Sequence, residues 1–417
     1  MVTPTVNKKQ IMKILNPNYI YVNGEFQENL AVVFDEKIKA IDSLENLQKS
    51  YPQATIEETK ENSVLYPGFI NTHVHLEFSA NKTTLQYGNF MPWLDSVIQN
   101  REELVGECDN AMMMQECQNM MKSGITTFGA ISSFGTELEV CIKTPQKVIF
   151  FNELIGSNAT TADMLYSDFL ERLDESKKYS NDGIIPAIAI HSPYSVHPIV
   201  LKRAINVAKT EKLPLSSHFL ESQAEREWLE DDSGEFLTFF KKFFNSSKSV
   251  TKIDEFLESF DDVPTHFVHV VQANRDELKY LANKGHSIAH CPRSNRLLGC
   301  GRLSIETLIE LKIPFTTATD GLSSNNSLSI LDELRAGLML HHLGSLEQLA
   351  SLLISSITSK PAEIFSLNSG KIEIGKDADF ALVNLPAKPS SFESIALQTI
   401  LHTQEVSSVW INGNKEI

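Results

Sequence analysis

Eight short apolar runs, each followed by a longer stretch with helical patterning, fill residues 67–366 of this 417-residue chain. They lie at 68–73, 125–129, 148–151, 185–190, 215–218, 265–269, 287–290 and 315–319. Short apolar runs bounded by turn signals suit strands buried on both faces. Eight strand-then-helix units predict an α/β chain folded as a (β/α)8 TIM barrel, with its chemistry at the C-terminal ends of the strands. The flanks read differently. Tyr19-Ile20-Tyr21-Val22 runs into Asn23-Gly24, and Val406 to Ile411 runs into Asn412-Gly413, as in a β-meander. A small β-sandwich domain built from both termini is therefore expected, residues 1–66 and 367–417 enclosing a barrel at 67–366.

The strand ends carry the reactive residues. The first ends in His73-Val74-His75, and residues two apart on a strand face the same way. The fifth ends at His218, with Glu221 three positions on; the sixth ends at His269, the seventh at His290, and the eighth leads to Asp320. The third leads to Glu153 and the fourth to His191. Three imidazoles and a carboxylate suit a divalent transition metal, zinc first and iron(II) second. His73, His75, His218 and Asp320 are the expected ligands, and water activated on such an ion attacks as hydroxide. An isolated H-x-H means little; its place at the end of strand one, with partners on strands five and eight, gives it weight. His269 competes with a reading as a buried core histidine, and His290 stands between substrate contact and structural hydrogen bonding. His266, three residues before His269, is expected on the opposite face.

Charge narrows the partners. Lys and Arg number 37 against 53 Asp and Glu, a net charge of −16. So acidic a surface repels phosphate backbones and anionic lipid, and the pairs Lys8-Lys9 and Lys241-Lys242 are too short to form a basic patch. A small-molecule substrate is expected, with neither nucleic acid nor membrane as partner and a homodimer as the common arrangement. Five scattered cysteines without a C-x-x-C pair argue against disulfides and thiolate zinc. The first nine residues lead into no apolar signal core, and no apolar run approaches the roughly 20 residues that span a bilayer, so a cytoplasmic location is expected.

At the strand-end motifs the chain resembles the amidohydrolase superfamily, in its branch of purine, pterin and triazine aminohydrolases and chlorohydrolases. The segments that carry the resemblance are Pro67-Gly68-Phe69-Ile70-Asn71-Thr72-His73-Val74-His75, Trp93-Leu94, His218-Phe219-Leu220-Glu221, Pro292-Arg293-Ser294-Asn295 and Thr319-Asp320-Gly321-Leu322-Ser323-Ser324-Asn325-Asn326. Gly370 to Asp379 matches the return into the β-sandwich. The resemblance implies one metal ion, because strand four lacks the lysine that bridges two. It further implies deamination of an adenine ring. Glu221 would shuttle protons to N1, His269 would hydrogen-bond the attacking hydroxide, and Asp320 would bind metal and accept a proton.

His191-Ser192-Pro193-Tyr194 and Ser294-Asn295-Arg296-Leu297-Leu298 are similar to segments of deaminases acting on 6-amino-6-deoxyfutalosine in menaquinone synthesis. S-adenosylhomocysteine, methylthioadenosine and adenosine are the alternative substrates, and a non-catalytic barrel scaffold is the contrasting class. 6-Amino-6-deoxyfutalosine carries a benzoate, for which Arg296, then Arg293, are the expected partners. His191 and Glu153 are expected at ribose hydroxyls, with Trp93 and Phe90 as a lid over the purine. The stretch from Ser222 to Asp262, with Phe236, Phe239, Phe240, Phe243 and Phe244 on one helical face, is expected to shape the pocket or an oligomer contact.

Overall fold

The computed structural model describes residues 12–81 and 83–417; the first nine residues, with Lys8-Lys9, lie outside them. The chain ends form two sheets, one from the N-terminal part alone and one from both ends. A four-stranded sheet comprises Ile38–Asp42, Ala31–Phe34, Lys13–Leu15 and Thr55–Glu57. A six-stranded one joins Tyr19–Val22 and Ser63–Pro67 to Phe380–Asn384 and Ser408–Ile411 from the other end, Ser63–Pro67 pairing with Phe380–Asn384. Leu15, Val32, Phe34, Leu65, Phe380 and Trp410 form one buried cluster between them. A buried ion pair ties this layer to the barrel. Lys147 Nζ reaches Asp379 Oδ2 at 2.5 Å and Asp377 Oδ2 at 2.8 Å, and the Asp379 side chain is fully buried.

The centre is the expected α/β TIM barrel. Its strands are β1 (Phe69–Val74), β2 (Ile125–Ser132), β3 (Lys147–Leu154), β4 (Ile184–Ile190), β5 (Leu215–Phe219), β6 (His266–His269), β7 (Ser287–His290) and β8 (Phe315–Thr317). All eight pair in parallel and in chain order. Side chains and a backbone bond close the seam between β8 and β1. Thr72 and Thr316 hydroxyls meet at 2.7 Å, Asn71 Nδ2 donates to Thr319 Oγ1 at 2.7 Å, and Asp320 N–H donates to His73 O at 3.1 Å. Alternate residues Ile149 and Phe151 on β3 and Ala187 and Ala189 on β4 fill the interior, with Phe365 packed beneath. His266 belongs to that interior: its Nε2 reaches across the barrel to Thr72 and Thr316. It is thus not on the opposite face from His269, because the backbone turns left-handed at His269 (φ 68°) and Val270 (φ 53°), which breaks the strand alternation.

One irregularity sets the direction of the first histidines. Between the pairs Asn71–Phe128 and Val74–Ala130, two residues of β1, Thr72 and His73, face the single Gly129 of β2. This is a β-bulge, a device that re-aims side chains beside functional sites. Gly129 permits it, since a Cβ there would sit 2.3 Å from Thr72 O. Gly129→Ala must push β1 away and tilt His73. The expected outcome is a folded protein, by circular dichroism, whose metal affinity in competition with a chelator falls about tenfold or more.

Candidate active site

Three imidazoles and a carboxylate converge where the barrel strands end. His73 Nε2 lies 3.1 Å from His75 Nε2 and 3.2 Å from His218 Nε2. Asp320 Oδ1 lies 3.6 Å from both His73 Nε2 and His75 Nε2. Ligands on a tetrahedral ion at about 2.0–2.1 Å stand roughly 3.3–3.4 Å apart, so these spacings are those of a shared cation. The chemistry of the donors agrees. Burial holds the His75 pKa down to about 3 and the His218 pKa well below the ordinary imidazole value, so both rings are neutral. His218 Nδ1 donates to His191 O at 2.8 Å, which leaves the lone pair on Nε2. Neutral nitrogens crowded around a carboxylate repel unless a cation stands among them. The residues therefore fit a divalent metal.

Asp320 is held from several sides. Ser294 Oγ and Ser324 Oγ donate to its Oδ2 at 2.7 and 2.8 Å, and Gly321 N–H donates to its Oδ1 at 2.8 Å. Burial opposes its charge, but the imidazoles of His73, His269 and His75 outweigh burial and hold its pKa well below the usual carboxylate value. Glu221 goes the other way. Burial, then the charges of Asp320 and Glu225, push its pKa well above the carboxylate range. Between them stands His269, with Nε2 3.6 Å from Glu221 Oε1 and 3.8 Å from Asp320 Oδ2. Its Nδ1 meets Asn295 Oδ1 at 2.8 Å, a contact that assigns the proton to Nδ1 and makes Nε2 an acceptor. Burial lowers the His269 pKa to about 4, so the ring is neutral. Two carboxyl groups with opposite shifts flank one imidazole, the pattern of an acid–base pair.

These groups open into a cavity of about 440 Å³. His191 and Glu153 line it together. Ser133 Oγ donates to Glu153 Oε2 at 2.5 Å while Glu153 Oε1, buried, has no partner, and burial raises the Glu153 pKa to about 7. His191 Nδ1 meets Ser195 Oγ at 2.6 Å. Phe90 and Trp93 enter from helix α1 (Phe90–Gln99), which leads at Asn100 into α2 (Arg101–Gly106); Trp93 Nε1 donates to Ser323 O at 2.7 Å. After β5 the chain forms α3 (Gln223–Asp231) and α4 (Gly234–Phe244), and Phe239, Phe240 and Phe244 of α4 line the cavity. A second cavity, of about 630 Å³, opens by Pro214, Pro264 and Pro314 at the other end of the strands and holds none of the converging donors.

Three residues expected at the substrate do not line this cavity. Arg293 is spent on the barrel itself: its Nε donates to the fully buried Glu333 at 2.7 Å and its other nitrogens to Asn326 and Ser327. Arg296 is exposed and does not line the cavity. His290 points outward, because its neighbours Ala289 and Cys291 take the interior; its Nε2 meets His341 Nε2 at 2.9 Å.

The sequence profile of the amidohydrolase family matches residues 64–415. The chain belongs to the amidohydrolase family. This amidohydrolase is 48% identical over 406 residues to an aminodeoxyfutalosine deaminase of Nitratiruptor sp., covering 97% of this chain and 100% of that one. It is 37% identical over 398 residues to an adenosine deaminase of Helicobacter pylori, covering 94% and 96%. The crystal structure of Helicobacter pylori aminofutalosine deaminase in complex with methylthio-coformycin superposes with a TM-score of 0.92 at 35% identity, over 98% of this chain and all of that one.

In this metal-dependent amidohydrolase two supporting groups escaped the sequence reading. Glu77, two residues past His75, accepts N–H bonds from Ser133, Phe134 and Thr136 and so fixes the loop after β2. Glu225, four residues past Glu221, accepts the N–H groups of Leu220 and Glu221 at 3.0 and 2.8 Å, steadying a turn in which Leu220 has φ 45°. The only signal for either was an acidic residue close behind a motif. Glu225→Ala frees the turn that aims Glu221. Expected is a fall in kcat of about 10- to 100-fold with metal content unchanged, and a smaller fall for Glu225→Gln, read by steady-state kinetics beside metal analysis.

Proposed function

We propose that this amidohydrolase is a hydrolytic deaminase of adenine nucleosides, acting on aminodeoxyfutalosine, with one zinc ion held by His73, His75, His218 and Asp320. The observation that carries the reading is the pair of oppositely shifted carboxyl groups, Glu221 and Asp320, on either side of His269 at the converging donors. The name of the Nitratiruptor relative and the ligand in the Helicobacter pylori structure support the substrate class.

A bound zinc ion supplies Lewis acidity toward water. The rest falls to the side chains. An adenine ring resists attack at C6 until N1 is protonated. Glu221, kept protonated by burial, donates that proton and draws electrons from C6. His269 Nε2, an acceptor, orients the attacking water, and Asp320 takes its proton. Asp320 then returns its proton to the amino group, the C6–N bond breaks, and Glu221 takes the proton of the C6 hydroxyl, so that ammonia leaves behind a C6 carbonyl. Glu153 Oε1 and His191 are the groups for ribose hydroxyls, since Glu153 Oε1 is buried without a partner and both residues line the cavity. Phe90 and Trp93 cover the purine.

The name of the Helicobacter pylori relative favours a second reading, adenosine itself as substrate. Ammonia release from both nucleosides decides. Aminodeoxyfutalosine is expected to exceed adenosine in kcat/KM by about 100-fold or more, and Glu221→Gln to lose about 100- to 10,000-fold on the better substrate with metal retained. Adenosine preferred over aminodeoxyfutalosine would overturn the substrate assignment. A Glu221→Gln enzyme of near wild-type rate would overturn the mechanism.

A further inference from the structure

The cavity holds a cation that none of this chemistry uses. Arg101 opens α2, and its guanidinium Cζ lies 4.8 Å from the centroid of the Phe134 ring. Among the described residues seven of the nine arginines have a carboxylate partner, leaving Arg101 and Arg296, both exposed. Of these two, Arg101 lines the cavity, and it is the one lysine or arginine to do so among the described residues. In a chain of net charge −16, an arginine without a carboxylate partner at a pocket wall is unusual.

Its position relative to the reacting centre follows from a row of rings. His75 lies 6.4 Å from Phe78 between centroids, Phe78 lies 6.4 Å from Phe134, and Arg101 rests on Phe134. An aromatic wall thus runs from a metal-site histidine to the guanidinium, and Val97 and Ile98 add apolar surface. The two rings offer a face on which a flat apolar group stacks. A guanidinium seated on a ring keeps its N–H edges free, and those edges match a carboxylate with two parallel bonds. Wall and cation together define a ligand arm that is apolar or aromatic along its length and anionic at its tip.

We infer that Arg101, backed by Phe134, is a specificity-determining carboxylate subsite that reads the end of the nucleoside's 5′ arm. The inference rests on the nucleoside deaminase reading above and assigns to Arg101 the part that Arg293 and Arg296 do not reach. Glu77 acts on the same subsite as a positioning residue, since its carboxylate accepts the Phe134 N–H at 3.0 Å.

The test compares wild type, Arg101→Ala and Arg101→Lys on three substrates: aminodeoxyfutalosine, its carboxylate methyl ester, and methylthioadenosine. Arg101→Ala is expected to lower the kcat/KM ratio of aminodeoxyfutalosine to methylthioadenosine about 10- to 100-fold, chiefly through KM. Arg101→Lys is expected to recover part of that loss. Esterification should cost the wild type a similar factor and cost Arg101→Ala little more, because the two changes remove one interaction. An unmoved ratio, or an ester that serves the wild type as well as the acid, overturns the inference while the deaminase reading stands. A wild type that releases ammonia from none of the three overturns both.

Discussion

Everything at the barrel mouth follows from forcing three imidazoles and a carboxylate within about one ligand diameter of each other. Burial keeps His75 and His218 uncharged, so the donors cannot relieve their crowding by taking protons. The scaffold resists their separation instead. The Gly129 bulge aims His73, the His191 carbonyl fixes the tautomer of His218, and Ser294 and Ser324 hold Asp320. The Asp320 N–H bond to His73 O joins first and last strands at the same point. Barrel closure and ligand convergence are one constraint here, and a divalent cation is what reconciles it.

The acid–base chemistry is layered on that frame by environment, not by residue type. Glu221 and Asp320 are both carboxylic acids beside His269, yet one is held protonated and the other ionised. Glu221 sits among apolar and acidic neighbours on a turn tied by Glu225, while Asp320 faces imidazoles. Asn295 sets which nitrogen of His269 can accept. Glu225 and Ser324 lie a few positions from the residues they orient, while Asn295, Ser294 and the His191 carbonyl reach theirs from other strand ends.

The barrel and the residues at its mouth were legible because short apolar runs with polar ends leave a strong mark, and the H-x-H, H-x-x-E and T-D-G segments fall at those ends. Direction was less legible. Alternation misplaced His266 because His269 and Val270 turn left-handed, and it could not show that Ala289 and Cys291, not His290, face inward. The arginines failed for another reason. Arg293 looked available in a loop, but Glu333, some forty residues on, claims it; Arg101 opens a short helix with no motif around it, and only the fold brings it onto Phe134. Charge partners set by tertiary contact leave no local trace.

The claim that converging donors require a cation is tested most directly by titrating metal-free protein with zinc under calorimetry, beside thermal unfolding of both forms. The account predicts one zinc ion per chain, release of few protons because His75 and His218 are already neutral, a higher Tm when loaded, and loss of the site in His73→Ala. No binding, or binding of equal strength in His73→Ala and Asp320→Ala, would contradict it.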